Sequence, residues 1–252
     1  MTLLELGPYY WALIALAFVV GGTVKGVIGI GLPLVVVPSI ASFTDPVTGV
    51  ALIAVPVISA NIWQIHQAGG LAMAVRRFWS LVLVMMGVIW VASTIFISID
   101  SAVAAGIMGV IVIVFTISRR FPIRGTVPPE AERWASPTVG AVTGLIGGTT
   151  GLLSPPLTMY LVALRLPKDE FITAVALLLI CAGSPLFINL AAHGILDLEV
   201  FAASCIASLP AGAGVLLGTK LRQRISQEFF ERALIVALFL IGLNLLRQSF
   251  GF

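Results

Sequence analysis

One lysine and two asparagines stand out because they occur within strongly apolar runs of the sequence. They are Lys25, Asn61 and Asn189. An ionisable side chain in such a segment is expensive to bury and marks a functional site by default. We expect the Lys25 ammonium to pair with a small anion, and Asn61 and Asn189 to donate hydrogen bonds to it. The alternatives are a lysine that extends to lipid headgroups and asparagines that bridge helices.

Two glycine-rich segments add a second kind of anion-binding chemistry. Residues 22–38 read GTVKGVIGIGLPLVVVP and residues 140–156 read GAVTGLIGGTTGLLSPP, and an offset of 118 makes seven of seventeen positions identical. Helix N-termini present unpaired N–H groups, and glycine lets an anion approach them closely. We expect two such ends to meet around one anion. The expected donors are the amides of Gly29, Gly31, Gly147 and Gly148 and the hydroxyls of Thr149, Thr150 and Ser154.

The outer glycines of both segments have a simpler interpretation. Gly22 and Gly26 are four residues apart, as are Gly140 and Gly144. This spacing is typical of helices that cross closely, and we expect it to serve packing here. The same interpretation stays open for the inner glycines. At this offset Lys25 corresponds to Thr143.

Two histidines and two cysteines complete the candidate residues. His66 and His193 occupy similar places in the two halves of the chain. Histidine titrates near neutral pH, so both are candidate proton carriers, with a structural role near the ends of helices as the alternative. Cys181 and Cys205 lie in apolar runs without ligand-like spacing, so we expect small hydrophobic fillers and no metal site or cofactor.

Composition assigns the chain to the membrane. Hydrophobic residues make up 59% and charged residues 10% of 252 residues, and the mean hydropathy is +1.11. Soluble domains have roughly 45–50% apolar and about 25% charged residues. We therefore predict an all-α integral membrane protein. Paired intramembrane carboxylates and the HExxH, GxSxG and nucleotide-binding signatures do not occur, which argues against an enzyme.

Two of the hydrophobic runs are too long for single spans. A run of 35 residues would form a helix of about 50 Å, against a hydrocarbon core of about 30 Å. We predict that these two runs are helical hairpins, broken at Gly26–Leu32 and Gly144–Thr150. The runs are 9–43, 47–66, 78–98, 102–118, 135–164, 171–192, 200–218 and 229–246, of which the first and fifth are the long ones.

The distribution of charge indicates two inverted halves. With both hairpins in place, twelve of fourteen basic residues fall on one side, which the positive-inside rule makes cytoplasmic. Each half then has about five passes, an odd number, so the second half is inverted. We predict a first repeat at 1–118, a cytoplasmic linker at 119–134, a second repeat at 135–252 and periplasmic termini.

The GVIGIGLPLVVVP segment, its degenerate second copy, the length and the two-half plan resemble the TauE/SafE, or sulfite exporter, family. The resemblance covers nearly the whole chain. It implies a bacterial inner-membrane transporter of sulfite, sulfonates or related small sulfur anions. From the two inverted halves we expect alternating access, with lipid and a small anion as partners and no nucleic acid. An anion channel and an intramembrane enzyme of unknown reaction remain the alternatives, and the oligomeric state stays open.

Overall fold

The chain folds into helices throughout the part that the structure describes. The computed structural model describes residues 7–28, 31–118, 125–221, 224 and 227–250. Within these ranges it has no strand, and seven of its helical stretches are long and apolar enough to cross a membrane. This confirms the predicted all-α integral membrane class. The helices are α1 (Pro8–Ile28), α2 (Leu32–Ala41), α3 (Pro46–Leu52), α4 (Ala54–Ala68), α5 (Leu71–Ser98), α6 (Ser101–Ser118), α7 (Pro129–Thr150), α8 (Ser154–Ala163), α9 (Lys168–Ala192), α10 (Leu198–Leu221) and α11 (Gln227–Ser249).

Both long hydrophobic runs are broken in the middle. The first run divides between Ile28 and Leu32, inside the predicted interval. The second divides at 151–153, so the predicted interval of Gly144–Thr150 was wrong by a few residues. The reason is that α7 stays helical until Gly151. This glycine adopts a left-handed conformation (φ 70°), which ends the helix and which few other residues adopt.

Each break is followed by a helix that is only half a membrane thick. α2 and α8 have ten residues each, or about 15 Å. Each folds back along the helix before it: a Cβ at Gly21 of α1 would lie 3.2 Å from the carbonyl oxygen of Leu32, and Leu153 packs on Gly147 of α7. Proline, with its fixed φ, occupies the second position of both short helices. The first turn of each short helix therefore lies beside the preceding helix, at a level several residues before that helix ends.

The helix ends of the two halves follow a register different from the sequence match. Four pairs of helix ends around the two breaks are 122 residues apart, whereas the identities have an offset of 118, a difference of about one helical turn. The corresponding pairs are Ile28 with Thr150, Leu32 with Ser154, Ala41 with Ala163, and Pro46 with Lys168.

This register changes the counterpart of the buried lysine. The helix ends place Lys25 opposite Gly147, and not opposite Thr143 as the sequence match did. Gly22 and Gly26 then correspond to Gly144 and Gly148. The offset of the sequence identities and the offset of these helix ends therefore differ by about one turn.

Glycines bring two pairs of helices into backbone contact. On α1, a Cβ at Gly22 or Gly26 would strike the carbonyl oxygens of Ala211 and Val215 on α10. On α10, Gly214 and Gly218 face α1 in the same way, against the carbonyl oxygens of Val19 and Thr23. The glycines of α7 face α5 instead, at Gly140, Gly144 and Gly148. The outer glycines therefore lie at close helix crossings, as expected for a packing role.

A serine on α10 supports the bend between α3 and α4. Pro56 has no N–H, so the carbonyl oxygen of Leu52 loses its normal helical partner. The Ser204 hydroxyl donates to that oxygen at 2.8 Å and accepts from the Val55 N–H at 3.0 Å. One buried side chain thus replaces the backbone bonds that the bend removes.

Two helices begin earlier than the hydrophobic runs indicated. α5 begins at Leu71, so Arg76 and Arg77 belong to its first two turns and not to a loop. α7 begins at Pro129, so the last part of the predicted 119–134 linker is helical, while residues 119–124 lie outside the described part. Both helices therefore begin with a segment that contains charged residues, before the apolar run starts.

We predict that Gly218→Ala destabilises the protein because its methyl group would overlap the Thr23 carbonyl oxygen on α1. Overpacking of this kind costs about 1–3 kcal/mol. The matched control is Gly212→Ala on the same helix, where the Cβ meets open space and the change improves helix propensity. Thermal unfolding in detergent should show a lower midpoint for the first variant only, and equal midpoints would contradict the contact.

We predict that Ser204→Ala lowers stability by about 1–3 kcal/mol, because it leaves the buried Leu52 carbonyl unsatisfied. Ser208→Ala is the control, since the Ser208 hydroxyl bonds to a carbonyl of its own helix. The same unfolding assay applies. A loss for Ser208→Ala as large as that for Ser204→Ala would show that the bend does not depend on this serine.

Candidate anion site

Lys25 lies inside the protein and reaches across to α4. It is in the last turn of α1 and is 8% exposed. Its Nζ donates to Asn61 Oδ1 at 3.3 Å and to Gln64 Oε1 at 3.0 Å. Asn61 and Gln64 are three residues apart, so α4 presents both on one face. The ammonium is directed to these two amides and not to the lipid surface.

Asn61 is held so that its oxygen faces the lysine. Its Nδ2 donates to the carbonyl oxygen of Val57, one turn earlier on α4, at 2.8 Å. The side chain is 1% exposed. Its amide nitrogen is therefore used within α4, and its oxygen is the group available to Lys25.

In the described part of the chain, no carboxylate forms an ion pair with Lys25. Helices α1 to α6 contain no aspartate or glutamate. The amide oxygens of Asn61 and Gln64 are neutral, and they solvate the ammonium without cancelling its charge. A buried charge normally requires an opposite charge close by. The site has the chemistry of an anion site.

The start of α2, which follows α1 across the first break, adds backbone donors. Gly31 precedes this helix in a left-handed conformation (φ 119°), and its carbonyl oxygen accepts from Val35 N–H at 3.2 Å. The amides of Leu32 and Leu34 precede that first bond and have no acceptor within the helix, while Pro33 has no N–H. Gly31 occupies the expected place at a helix start, and Gly29 lies outside the described residues.

The second break uses most of its expected donors internally. The hydroxyls of Thr149 and Thr150 donate to carbonyl oxygens one turn back, at 2.7 and 2.6 Å. Gly147 is covered by Leu153, and Gly148 packs on α5 beside Ala92.

Ser154 differs from the two threonines, because its buried hydroxyl has no hydrogen-bond partner in the described part of the chain. The same holds for Thr143, which the sequence did not single out as a donor. Both hydroxyls are free to receive a ligand.

Asn189 lies in a separate polar cluster between α9 and α5. Its Nδ2 lies 2.8 Å from Ser93 Oγ, 2.9 Å from Thr94 Oγ1 and 3.3 Å from the Trp90 carbonyl oxygen. The amide nitrogen thus bridges two helices, which matches the alternative stated for it. Gln64, and not Asn189, joins Asn61 at the lysine, and its three-residue spacing from Asn61 is the sequence signal that indicates this.

The histidines lie at the ends of corresponding helices. His66 is exposed in the last turn of α4, with its ring 6.4 Å from that of Trp63. His193 is exposed just after α9, and its Nδ1 lies 2.9 Å from the Asn189 carbonyl oxygen. Each therefore sits at the margin of the helical bundle.

Comparison with known proteins identifies the family of the chain. Residues 13–245 match the family described as sulfite exporter TauE/SafE. The chain belongs to the TauE/SafE family. Its members are membrane transporters of sulfur anions such as sulfite and not enzymes, which confirms the resemblance drawn from the glycine-rich segments. No curated protein and no solved structure matches the chain.

We predict that Asn61→Leu destabilises the protein through Lys25. Loss of a hydrogen bond to a charged group costs about 1.5–3 kcal/mol. The double variant Lys25→Met/Asn61→Leu should recover much of this loss, because the ammonium that needed the oxygen is gone. Unfolding midpoints of the four proteins form a double-mutant cycle, and additive effects would mean that the Lys25–Asn61 contact contributes nothing.

Proposed function

We propose that this TauE/SafE protein carries sulfite, a sulfonate or a related organosulfur anion across the membrane, and that the anion binds at Lys25 below the start of α2. The observation that carries the proposal is the buried ammonium whose protein partners are neutral amide oxygens. An incoming anion supplies the missing charge. Sulfite and sulfonates fit because their oxygens accept charge-assisted hydrogen bonds from an ammonium and from backbone N–H groups together.

Alternating access between two inverted repeats is the transport mechanism that we propose. The matching helix ends support a repeat at 1–118 and another at 135–252. The packing crosses between them, since α1 of the first half lies on α10 of the second, and α7 of the second lies on α5 of the first. Half-membrane helices in corresponding positions of two repeats are typical of transporters that rock around a central site.

We propose an orientation with the basic loops in the cytoplasm of a bacterium and both termini in the periplasm, across the inner membrane. The support is the distribution of arginine and lysine along the sequence. A reporter enzyme active only in the periplasm, fused after the last residue, should be active. Activity of a cytoplasm-specific reporter at the same position would reverse the assignment.

Proton coupling through His66 and His193 stays a hypothesis from the sequence. The two side chains are exposed at the ends of α4 and α9, where protons from solvent reach them. Transport into liposomes should then respond to an imposed pH gradient. Equal rates at every gradient would reject the coupling without affecting the Lys25 site.

The decisive variant is Lys25→Met, which keeps length and apolar bulk but removes the charge. Loss of a buried charged contact costs about 2 kcal/mol or more, so we expect the kcat/KM for sulfite uptake into liposomes to fall roughly 30-fold or more. Lys25→Arg keeps the charge in another shape and should retain part of the rate.

Folding is checked by the elution volume and unfolding midpoint of each variant. Normal saturable uptake by a folded Lys25→Met protein would remove Lys25 from the site. Uptake that does not saturate with sulfite, in the unmodified protein, would favour an anion channel.

A further inference from the structure

Two unpartnered hydroxyls mark a polar place at the second broken helix. Thr143 Oγ1 and Ser154 Oγ are both buried and have no hydrogen-bond partner in the described ranges. Their residues are 0% and 3% exposed. A buried hydroxyl without a partner costs free energy, and native proteins retain few of them. Two at one break call for a ligand that the chain itself does not provide.

The two residues belong to the two helices that the second break joins, Thr143 to α7 and Ser154 to α8. Thr143 lies one turn before Gly147 on α7, and Gly147 is the residue on which Leu153, the neighbour of Ser154, packs. The 122-residue register gives the same answer, because it matches Thr143 with Gly21 and Ser154 with Leu32. In the first half those two positions touch across the crossing of α1 and α2.

The donors at this crossing suit an oxyanion better than a cation. Ser154 is the first residue of α8, so its N–H has no acceptor within the helix and belongs to the positive end of the helix dipole. Pro155 and Pro156 remove the next two N–H groups, and the amides of Leu152 and Leu153 are already bonded within the break. What remains is one amide and two hydroxyls, all of them donors without a formal charge.

We propose that Thr143 and Ser154 form a second oxyanion-binding subsite on the transport path, uncharged where the Lys25 site is charged. The inference rests on the proposed function and extends it. The same sulfur oxyanion that pairs with Lys25 in one half binds to hydroxyls at the corresponding broken helix of the other half. A neutral subsite binds the anion more weakly than a charged one, which makes it the place from which the anion leaves.

The test uses Thr143→Val and Ser154→Ala in the full chain, with sulfite uptake into liposomes and sulfite binding measured by calorimetry. Each change removes a hydroxyl that has no protein partner, so the unfolding midpoint should stay the same or rise. KM and Kd for sulfite should each increase roughly three- to ten-fold. Thr138→Val is the matched control on the same helix, since that hydroxyl is exposed and bonds to the Trp134 carbonyl oxygen; its constants should not change.

The outcomes separate this inference from the proposed function. Unchanged KM and Kd in both variants, while Lys25→Met loses uptake, would overturn the subsite and leave the proposed function standing. Uptake by the unmodified protein is also measured with and without sodium. If it requires sodium, and a variant loses that requirement while its Kd for sulfite stays the same, the hydroxyls bind a cation and the subsite is overturned. An unmodified protein that neither binds nor transports sulfur oxyanions would overturn both.

Discussion

The structure depends on how an interrupted backbone satisfies its polar groups where water is absent. In hydrocarbon every N–H and C=O needs a partner within the protein. The helix interruption at 151–153 meets this demand locally: Gly151 N–H bonds to Gly147, and Leu152 N–H bonds to the Thr150 hydroxyl. The bend between α3 and α4 meets it at a distance, through Ser204 on α10. At the start of α2, the amides of Leu32 and Leu34 have no acceptor within their own helix.

The two halves have similar backbones and different chemistry. Their short helices begin and end in register, yet the position of Lys25 in the first half is taken by Gly147 in the second. The methylene-rich lysine stem is replaced there by the side chain of Leu153, which folds over the glycine. The two breaks thus have short helices with matching bounds and differ in charge.

The sequence was sufficient for the class of fold and for the breaks, because apolar run length is limited by membrane thickness and two runs exceed it. It was not sufficient for the register of the repeat. Gly140, Gly144 and Gly148 follow one another at four-residue spacing, so the pair Gly22 and Gly26 fits either neighbouring pair. Identity counts favour one fit, whereas the helix ends around the two breaks favour the other.

The candidate site was predictable in its charge and not in its partners. A lysine in an apolar run indicates a functional site, because burying its charge is costly. The three-residue spacing of Asn61 and Gln64 places both amides on one face of α4. That this face meets Lys25 depends on how α1 lies against α4, and no local pattern in either helix specifies that. The same limit explains Thr143: its hydroxyl differs from those of Thr149 and Thr150 in lacking a partner, and only the packed structure distinguishes a satisfied hydroxyl from an unsatisfied one.

The glycine contact between α1 and α10 has a consequence for the direction of the lysine. Gly22 and Gly26 form one stripe along α1, and Gly21 and Lys25 form the adjacent stripe, about 100° around the helix axis. Rotating α1 about its axis would turn a stripe with side chains against the backbone of α10, where there is room for hydrogen atoms alone. The glycines of this contact therefore fix the rotation of α1 about its axis, and with it the direction in which the Lys25 side chain extends. They are Gly22, Gly26, Gly214 and Gly218.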